Sequence, residues 1–323
     1  MYTVGVDLGG TNIAIGIVDR DHRIVRKGSV PTKADRAPEM IVKDMADLTA
    51  RLLDEAGLSV GDVENVGIAS PGTANGSTGV VEYSNNLPFK NFAVAEIFRR
   101  YLPVKAVYVE NDANAAALGE HIAGAAKGAH NSVMITLGTG VGGGIIIDGK
   151  IYAGSNHAAG ELGHNVIVYG GRPCTCGRRG CLEAYASATA LIRMTEECLT
   201  ECRIKGVPTL LTKELEANGG RCNARIAFNA MKKGDEIAAW LVGDYIAYLA
   251  CGVTNIINTF QPEILSIGGG ISGEKDHLLI PLRKRVDREQ YTRDSAHRMQ
   301  IVIAELGNDA GIIGAASLGS QHV

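Results

Sequence analysis

The sequence lacks an excess of charge of either sign. Its 323 residues carry 32 Lys and Arg against 35 Asp and Glu, a net charge of −3. That leaves no basic field for nucleic acid, which is not an expected partner. A uniformly apolar run of about 18 residues is also missing. The nearest stretch, Ile246 to Phe260, is short and broken by Gly, Thr and Asn, so no membrane span is expected. No leader is evident, because a strand pattern starts at Tyr2 and leaves no room for charged and apolar leader segments. The cysteines do not form an even-numbered framework. There are seven, and Cys198, Cys202, Cys222 and Cys251 are scattered. Cys198 and Cys202 stand at helical i, i+4 spacing, where two packed thiols are expected rather than a disulfide. These absences together point to a cytoplasmic protein in a reducing compartment. The composition, 46% hydrophobic and 21% charged, is that of a globular chain long enough for two domains.

The remaining three cysteines are not scattered. Glu161-Leu162-Gly163-His164 is followed, nine residues on, by Cys174-Thr175-Cys176-Gly177-Arg178-Arg179-Gly180-Cys181-Leu182-Glu183. His164, Cys174, Cys176 and Cys181 make a soft Cys₃His set of the kind that holds tetrahedral zinc. Gly177 and Gly180 let the chain fold back so that Cys181 reaches the metal shared with Cys176. Four protein ligands close the site, so the zinc is expected to be structural and to leave the chemistry to other groups.

Glycine marks three turns. Asp7-Leu8-Gly9-Gly10-Thr11-Asn12 joins strands expected at Tyr2 to Asp7 and Asn12 to Asp19. Such a turn exposes backbone N–H groups that can hold a phosphate, and Asp7 at its mouth can bind Mg²⁺ directly or through water. A second turn follows the strand Ser132 to Leu137. Gly138, Gly140 and Gly143 match G-x-G-x-x-G literally, but the dinucleotide fingerprint must open a helix. Here a β-branched strand, Ile145 to Asp148, is expected instead. Leu8 to Asp19 aligned with Leu137 to Asp148 shares Leu, Gly, Ile and Asp at four of twelve places. Two related halves, each beginning with a phosphate hairpin, follow from that. A third turn, Gly268-Gly269-Gly270, comes after the strand Glu263 to Ile267 and suits close approach to a flat ligand such as adenine.

Between these turns, a strand at Val104 to Val109 runs into Glu110-Asn111-Asp112 and an Ala-rich helix. Asn111 or Asp112 is placed to cap that helix. A carboxylate at the carboxyl end of a strand in an α/β fold also faces the ligand crevice. Helices are expected at Pro38 to Ala56, Val94 to Tyr101, Ala186 to Leu199, Ala238 to Asn258, Arg283 to Asp287 and Ala310 to Leu318. Strands are expected at Ile24 to Pro31, Val63 to Ala69 and Ile301 to Ala304. Gly72 to Gly79 and Asn85 to Pro88 read as loops, and 203 to 235 as short helices with a polar loop.

Taken together these motifs resemble the ROK family (repressor, open reading frame, kinase) of sugar kinases. That family lies within the actin-like and hexokinase-like ATPases, and the chain is most like its bacterial ATP-dependent glucokinases. The resemblance covers nearly the whole chain. It implies an α/β fold of two related domains flanking a deep cleft. The smaller domain is expected at 1–115 with a C-terminal helix at 305–323, the larger at 116–304. ATP would lie across the two hairpins, against Asp7, Gly9, Gly10, Thr11, Asn12, Thr136, Gly138, Thr139, Gly140, Gly269 and Gly270. The sugar would meet Gly72, Asn86, Asn111, Asp112, Glu161, His164 and Glu183. Asp112 matches the catalytic base and Asp7 the magnesium-associated carboxylate. His164 would serve zinc through one ring nitrogen and the sugar through the other.

The implied cofactors are therefore ATP, Mg²⁺ and structural Zn²⁺, and the implied reaction is phosphorylation of the 6-hydroxyl of glucose. The alternatives are the same chemistry on mannose, fructose, allose or N-acetylmannosamine, with polyphosphate a second possible donor. A sugar-responsive repressor would need a helix-turn-helix before Asp7, and six residues precede it. A non-catalytic sugar sensor would not need Asp112 and both glycine hairpins. A homodimer or homotetramer is expected, as is common in the family.

Overall fold

The computed structural model describes residues 1–322. The chain divides into two compact units. One comprises Met1–Met134, Gly144–Gly160 and the segment from Ala304 onward; the other comprises Ile135–Gly143 and Glu161–Ile303. The expected boundary at 115/116 falls inside a helix that lies whole within the first unit.

The chain opens with β1 (Tyr2–Leu8), β2 (Asn12–Val18) and β3 (Ile24–Pro31), then α1 (Pro38–Glu55) and β4 (Val63–Ser70). Three short strands follow, β5 (Thr73–Asn75), β6 (Val80–Tyr83) and β7 (Lys90–Phe92), then α2 (Val94–Tyr101), β8 (Val107–Asn111) and α3 (Asp112–Ala123). After them come β9 (Ser132–Leu137), β10 (Val141–Ile147) and β11 (Lys150–Ile151). Next are α4 (Glu183–Ala186), α5 (Ala188–Lys205), α6 (Leu210–Ala217), α7 (Arg225–Lys232) and α8 (Glu236–Phe260). The chain then forms β12 (Ile264–Gly268), α9 (Asp276–Glu289), β13 (Gln300–Ile303) and α10 (Ala310–Ala316).

One sheet has the order β3-β2-β1-β4-β8 and another β11-β10-β9-β12-β13. Each set places its third, second, first, fourth and fifth strand in that sequence, so the faint repeat at Leu8 and Leu137 is a repeat of topology. In the first sheet β2 runs antiparallel to β1, while β4 and β8 continue parallel. The parallel pairs need long crossovers, which α1 and α2 provide. Of the small third sheet, β5-β6-β7, β5 falls in a stretch expected as loop, while β6 and β7 fall where no element was expected. Strands this short leave no legible alternation. Two other departures have plain causes. Helix α9 starts at Asp276 rather than near Arg283, because Pro281 lies inside it and reads as a breaker. Strand β10 starts at Val141, so Gly142, Gly143 and Gly144 belong to the strand and not to the turn. A Cβ on Gly144 would fall 2.5 Å from that of Ala117, so this glycine serves the packing of α3.

Alternation along β1 sorts its two faces. Val4, Val6 and Leu8 are fully buried in a core shared with Ile41, Val42 and Met45 of α1. Gly5 and Asp7 point the other way, where α10 lies. Gly16, Gly5 and Gly67 stand side by side on β2, β1 and β4 and form a row without side chains. A Cβ on Gly5 would come 1.8 Å from the carbonyl oxygen of Ile312, and one on Gly67 1.7 Å from that of Ala315. The backbone of α10 thus rests directly on the sheet. Gly67→Ala is expected to cost about 3 kcal/mol, the upper end of overpacking penalties. Urea unfolding measures this, with Gly61→Ala as the control, because only the Ser59 hydroxyl, 3.5 Å away, approaches a Cβ there.

Among the described helices α8 is the one long and apolar enough to cross a membrane, though 56% of its apolar window is buried within the protein. It is a core helix, packed against α4, α7 and α9. Its Leu241, Tyr245, Leu249, Val253 and Ile257 recur at helical spacing and are buried.

Candidate active site

In the first unit, β8 delivers Asn111 and Asp112 to the start of α3. Asn111 is the cap: its Oδ1 accepts the N–H groups of Ala113 (2.9 Å) and Asn114 (3.2 Å). Its Nδ2 donates to the carbonyl of Gly72 at 3.0 Å, and a positive φ of 99° lets Gly72 make that turn. Asp112 is the first helical residue, and its Oδ1 accepts the N–H of Ala113 at 2.8 Å. Behind the pair lies Glu110, 8% exposed. Its Oε1 accepts the N–H of Asn111 (2.9 Å) and the Nδ2 of Asn114 (3.0 Å). Burial raises the proton affinity of both Asp112 and Glu110, and hydrogen bonds partly offset it.

Asp7, near the end of β1, is pushed up to about 6, first by burial and then by the neighbouring charge of Asp112. Helix α10 closes over it, because a Cβ on Gly311 would come 3.0 Å from its Cγ. The folded protein binds this proton more tightly than the unfolded chain, whose value is near 3.8. Stability from this group is therefore greatest below that value and is lost as pH rises through about 6. Ionised Asp7 costs the ligand-free fold up to about 3 kcal/mol at neutral pH. Asp7→Asn should accordingly raise the melting temperature at pH 8 and give no gain at pH 4. Equal gains at both values would show that the carboxylate is not strained.

The first glycine turn is built to be rigid. The N–H of Gly9 donates to the carbonyl of Asn12 at 2.9 Å, and the N–H of Thr32 donates to the carbonyl of Thr11 at 2.8 Å. The buried hydroxyl of Thr32 donates to the carbonyl of Gly9 at 2.6 Å. Gly10 faces Asn86, whose Cβ would lie 3.2 Å from an added Cβ.

In the second unit, the turn from Gly138 to Gly140 is tied in the same manner. The N–H of Gly138 donates to Gly140 O (3.0 Å) and that of Ala188 to Gly138 O (2.8 Å). The Thr189 hydroxyl donates to Thr139 O at 2.8 Å. Of the donors expected for phosphate, the N–H groups of Gly9 and Gly138 are thus taken up by the turns themselves. Glu183 lies against Gly140, and its Oε2 accepts the N–H of Val141 at 3.0 Å. Its Oε1 accepts the Thr175 hydroxyl at 3.2 Å. Thr136 lies in β9. Gly269, at φ 82°, packs against Leu137, and Gly270 opens a short 3₁₀ turn.

The cysteine stretch forms two back-to-back turns, closed by bridges between Val166 and Cys181 and between Pro173 and Arg179. Gly180, at φ 86°, sits where a Cβ would strike the Val168 carbonyl at 1.7 Å. This brings the donor atoms of His164, Cys174, Cys176 and Cys181 within 4.8 Å of one another. Cys176 and Cys181 Sγ are 3.7 Å apart, and Cys174 Sγ is 3.6 Å from His164 Nδ1. A tetrahedron with Zn–S bonds of about 2.3 Å has edges of about 3.8 Å. The donor set fits zinc in both chemistry and size. The other ring nitrogen, Nε2, lies 3.9 Å from the carboxylate of Glu161.

The first unit therefore gathers Asp7, Gly9, Gly10, Thr11, Asn12, Gly72, Asn86, Asn111 and Asp112. The second gathers the hairpin at 138–140, Glu161, His164, Glu183 and the three cysteines. Residue reading missed Glu110, Thr32 and Thr189. Glu110 adjoins Asn111 and could have been noticed as a carboxylate too near a helix start to be incidental. The two threonines carry no local signal.

The sequence pattern of the ROK family matches residues 3–322. The glucokinase of Halalkalibacterium halodurans is 37% identical, covering 99% of this chain and 96% of that protein. The glucokinase of Thermotoga maritima is also 37% identical, covering 99% and 98%. A crystal structure of a ROK family glucokinase from Streptomyces griseus, in complex with glucose and AMPPNP, superposes with a TM-score of 0.79. It is 33% identical and covers 98% of this chain and 99% of that one. With the family pattern matched over residues 3–322 and relatives 37% identical along their whole length, this chain belongs to the ROK family.

Proposed function

We propose that the protein transfers a phosphoryl group from ATP to the 6-hydroxyl of glucose. The observation that carries this reading is the carboxylate of Asp112, held at the mouth of α3 by a fully bonded cap, in a chain that matches glucokinases end to end. Phosphoryl transfer proceeds through a loose transition state, so positioning and charge neutralisation supply most of the catalysis. Asp112 takes the proton from the sugar hydroxyl and aligns its oxygen. The raised proton affinity from burial makes it a stronger base than an exposed aspartate. Asn111 binds a sugar hydroxyl while its cap bonds hold Asp112 in line.

In the second unit Glu161, His164 and Glu183 receive the remaining hydroxyls. An epimer leaves one of these groups unpaired, which is how the site rejects it. The N–H groups of Gly10, Thr11 and Thr139, with the two threonine hydroxyls, hold the phosphates. Gly269 and Gly270 leave room for the base. Asp7 would hold Mg²⁺ through water, and the bound ion neutralises phosphate charge. His164, Cys174, Cys176 and Cys181 would hold zinc, which keeps the His164 ring in one tautomer and orientation.

A coupled assay with ATP and glucose, mannose, fructose, allose or N-acetylmannosamine tests the reading. The highest kcat/KM is expected for glucose. A higher value for any other hexose would move the substrate assignment while keeping the chemistry. Polyphosphate in place of ATP tests the donor.

A further inference from the structure

A cavity of about 450 Å³ lies in the first unit at the start of β1, around Thr3, Asn65, Lys105 and Tyr108. It is remote from Asp7, which sits near the other end of the same strand, roughly 13 Å along it at about 3.3 Å per residue. None of its lining residues belongs to the site described above. Its volume lies within the range of about 300–1,000 Å³ typical of small-molecule sites.

The lining is polar in a particular way. Asn65, on β4, is 6% exposed, and its Oδ1 has no hydrogen-bond partner among the described residues. Its Nδ2 lies so near Gly319 that a Cβ there would come within 2.6 Å. The Oδ1 oxygen is covered, and an unpaired buried carbonyl costs roughly 1–3 kcal/mol, so turning the Asn65 amide to meet a donor in the cavity would relieve that cost. Around it stand two cations, Arg20 and Lys105, and two carboxylates, Asp19 and Glu64, with His22 beside them. The Oδ1 of Asp19 is held by the N–H groups of Asp21 and Arg23. The formal side-chain charges of the two pairs cancel, and with the Met1 terminus beside them the lining carries no strong field of either sign. One wall is the ring of Tyr108, stacked on His322 at 4.5 Å between centroids.

We propose that this cavity is a second binding site, for a neutral polyhydroxylated ligand of the carbohydrate class. Hydroxyl groups both donate and accept. They satisfy Asn65 and Glu64 as donors and Arg20 and Lys105 as acceptors, while a sugar's apolar face lies along Tyr108. The inference stands independently of the catalytic assignment.

Calorimetric titration of the whole protein with maltose, without glucose, tests it. Glucose is left out because it belongs to the proposed ligand class and would compete, and the variants of the cavity separate its heat from that of the catalytic site. Maltose is expected to bind, and Asn65→Leu and Glu64→Ala are each expected to weaken it at least tenfold, with kcat and KM for glucose unchanged. Three results would overturn the proposal: no maltose binding, affinity unchanged in both variants, or tighter binding of glycerol 3-phosphate than of maltose. If the wild-type protein fails to phosphorylate glucose, that separate result speaks against the catalytic assignment, and the maltose titration still reads the cavity.

Discussion

Asp112→Asn lowers kcat by about 10² to 10⁴-fold, the range a positioned general base supplies, while glucose still binds with near wild-type affinity. The amide keeps the shape of the side chain and can accept from the Ala113 N–H as the carboxylate does, so the start of α3 survives. What is lost is the capacity to take a proton. Single-turnover rates together with glucose binding by fluorescence or calorimetry check both halves, and full activity in the variant would sink the assignment. The pH profile offers a second check. Because burial raises the proton affinity of Asp112, activity should fall on the acid side at a higher pH than an exposed aspartate would set. Activity rises with pH because the ionised form is the working one.

Loss of the metal is expected to act on the other kinetic constant. Cys176→Ser removes a ligand that is itself exposed, so the change disturbs packing least and isolates the effect of zinc. Without the metal, the side chains of His164 and the three cysteines lose their common anchor, and the segment up to Glu183 keeps only its backbone bridges and a few hydrogen bonds. KM for glucose should rise by at least 10- to 100-fold, the loss seen when even an outer partner of a metal site is removed. The melting temperature should drop as well, since binding at a structural zinc site is coupled to folding. Metal analysis of the wild-type and variant proteins decides the matter. A wild-type protein free of zinc yet fully active would refute it.

The two sites were unequally legible before any coordinates. The proposed zinc ligands are legible because thiolate and imidazole chemistry is a property of residue type, and their spacing within one loop is local. Asp112 is legible because a strand running into an Ala-rich helix locates its carboxylate. Tertiary packing hid the rest. The row formed by Gly16, Gly5 and Gly67 requires register across three strands, which no single stretch reveals. Thr32 stabilises the first hairpin from 23 residues away, and Thr189 the second from 50. The glycines of the second hairpin were misread in part. Those at 138 and 140 shape a turn, while Gly144 makes room for a helix. Strands β5 to β7 were too short for their alternation to stand out, and Pro281 disguised the first half of α9.

The seat of α10 on the first sheet has a consequence for synthesis. Strands β1, β2 and β4 leave the ribosome early, but residues 310–316 follow only after the whole second unit. At about 5–20 residues per second the glycine row of the nascent sheet stays uncovered for roughly 10–50 s. An apolar face left bare that long would invite other nascent chains. A face that is mostly backbone, already bonded within its sheet, offers them little to hold.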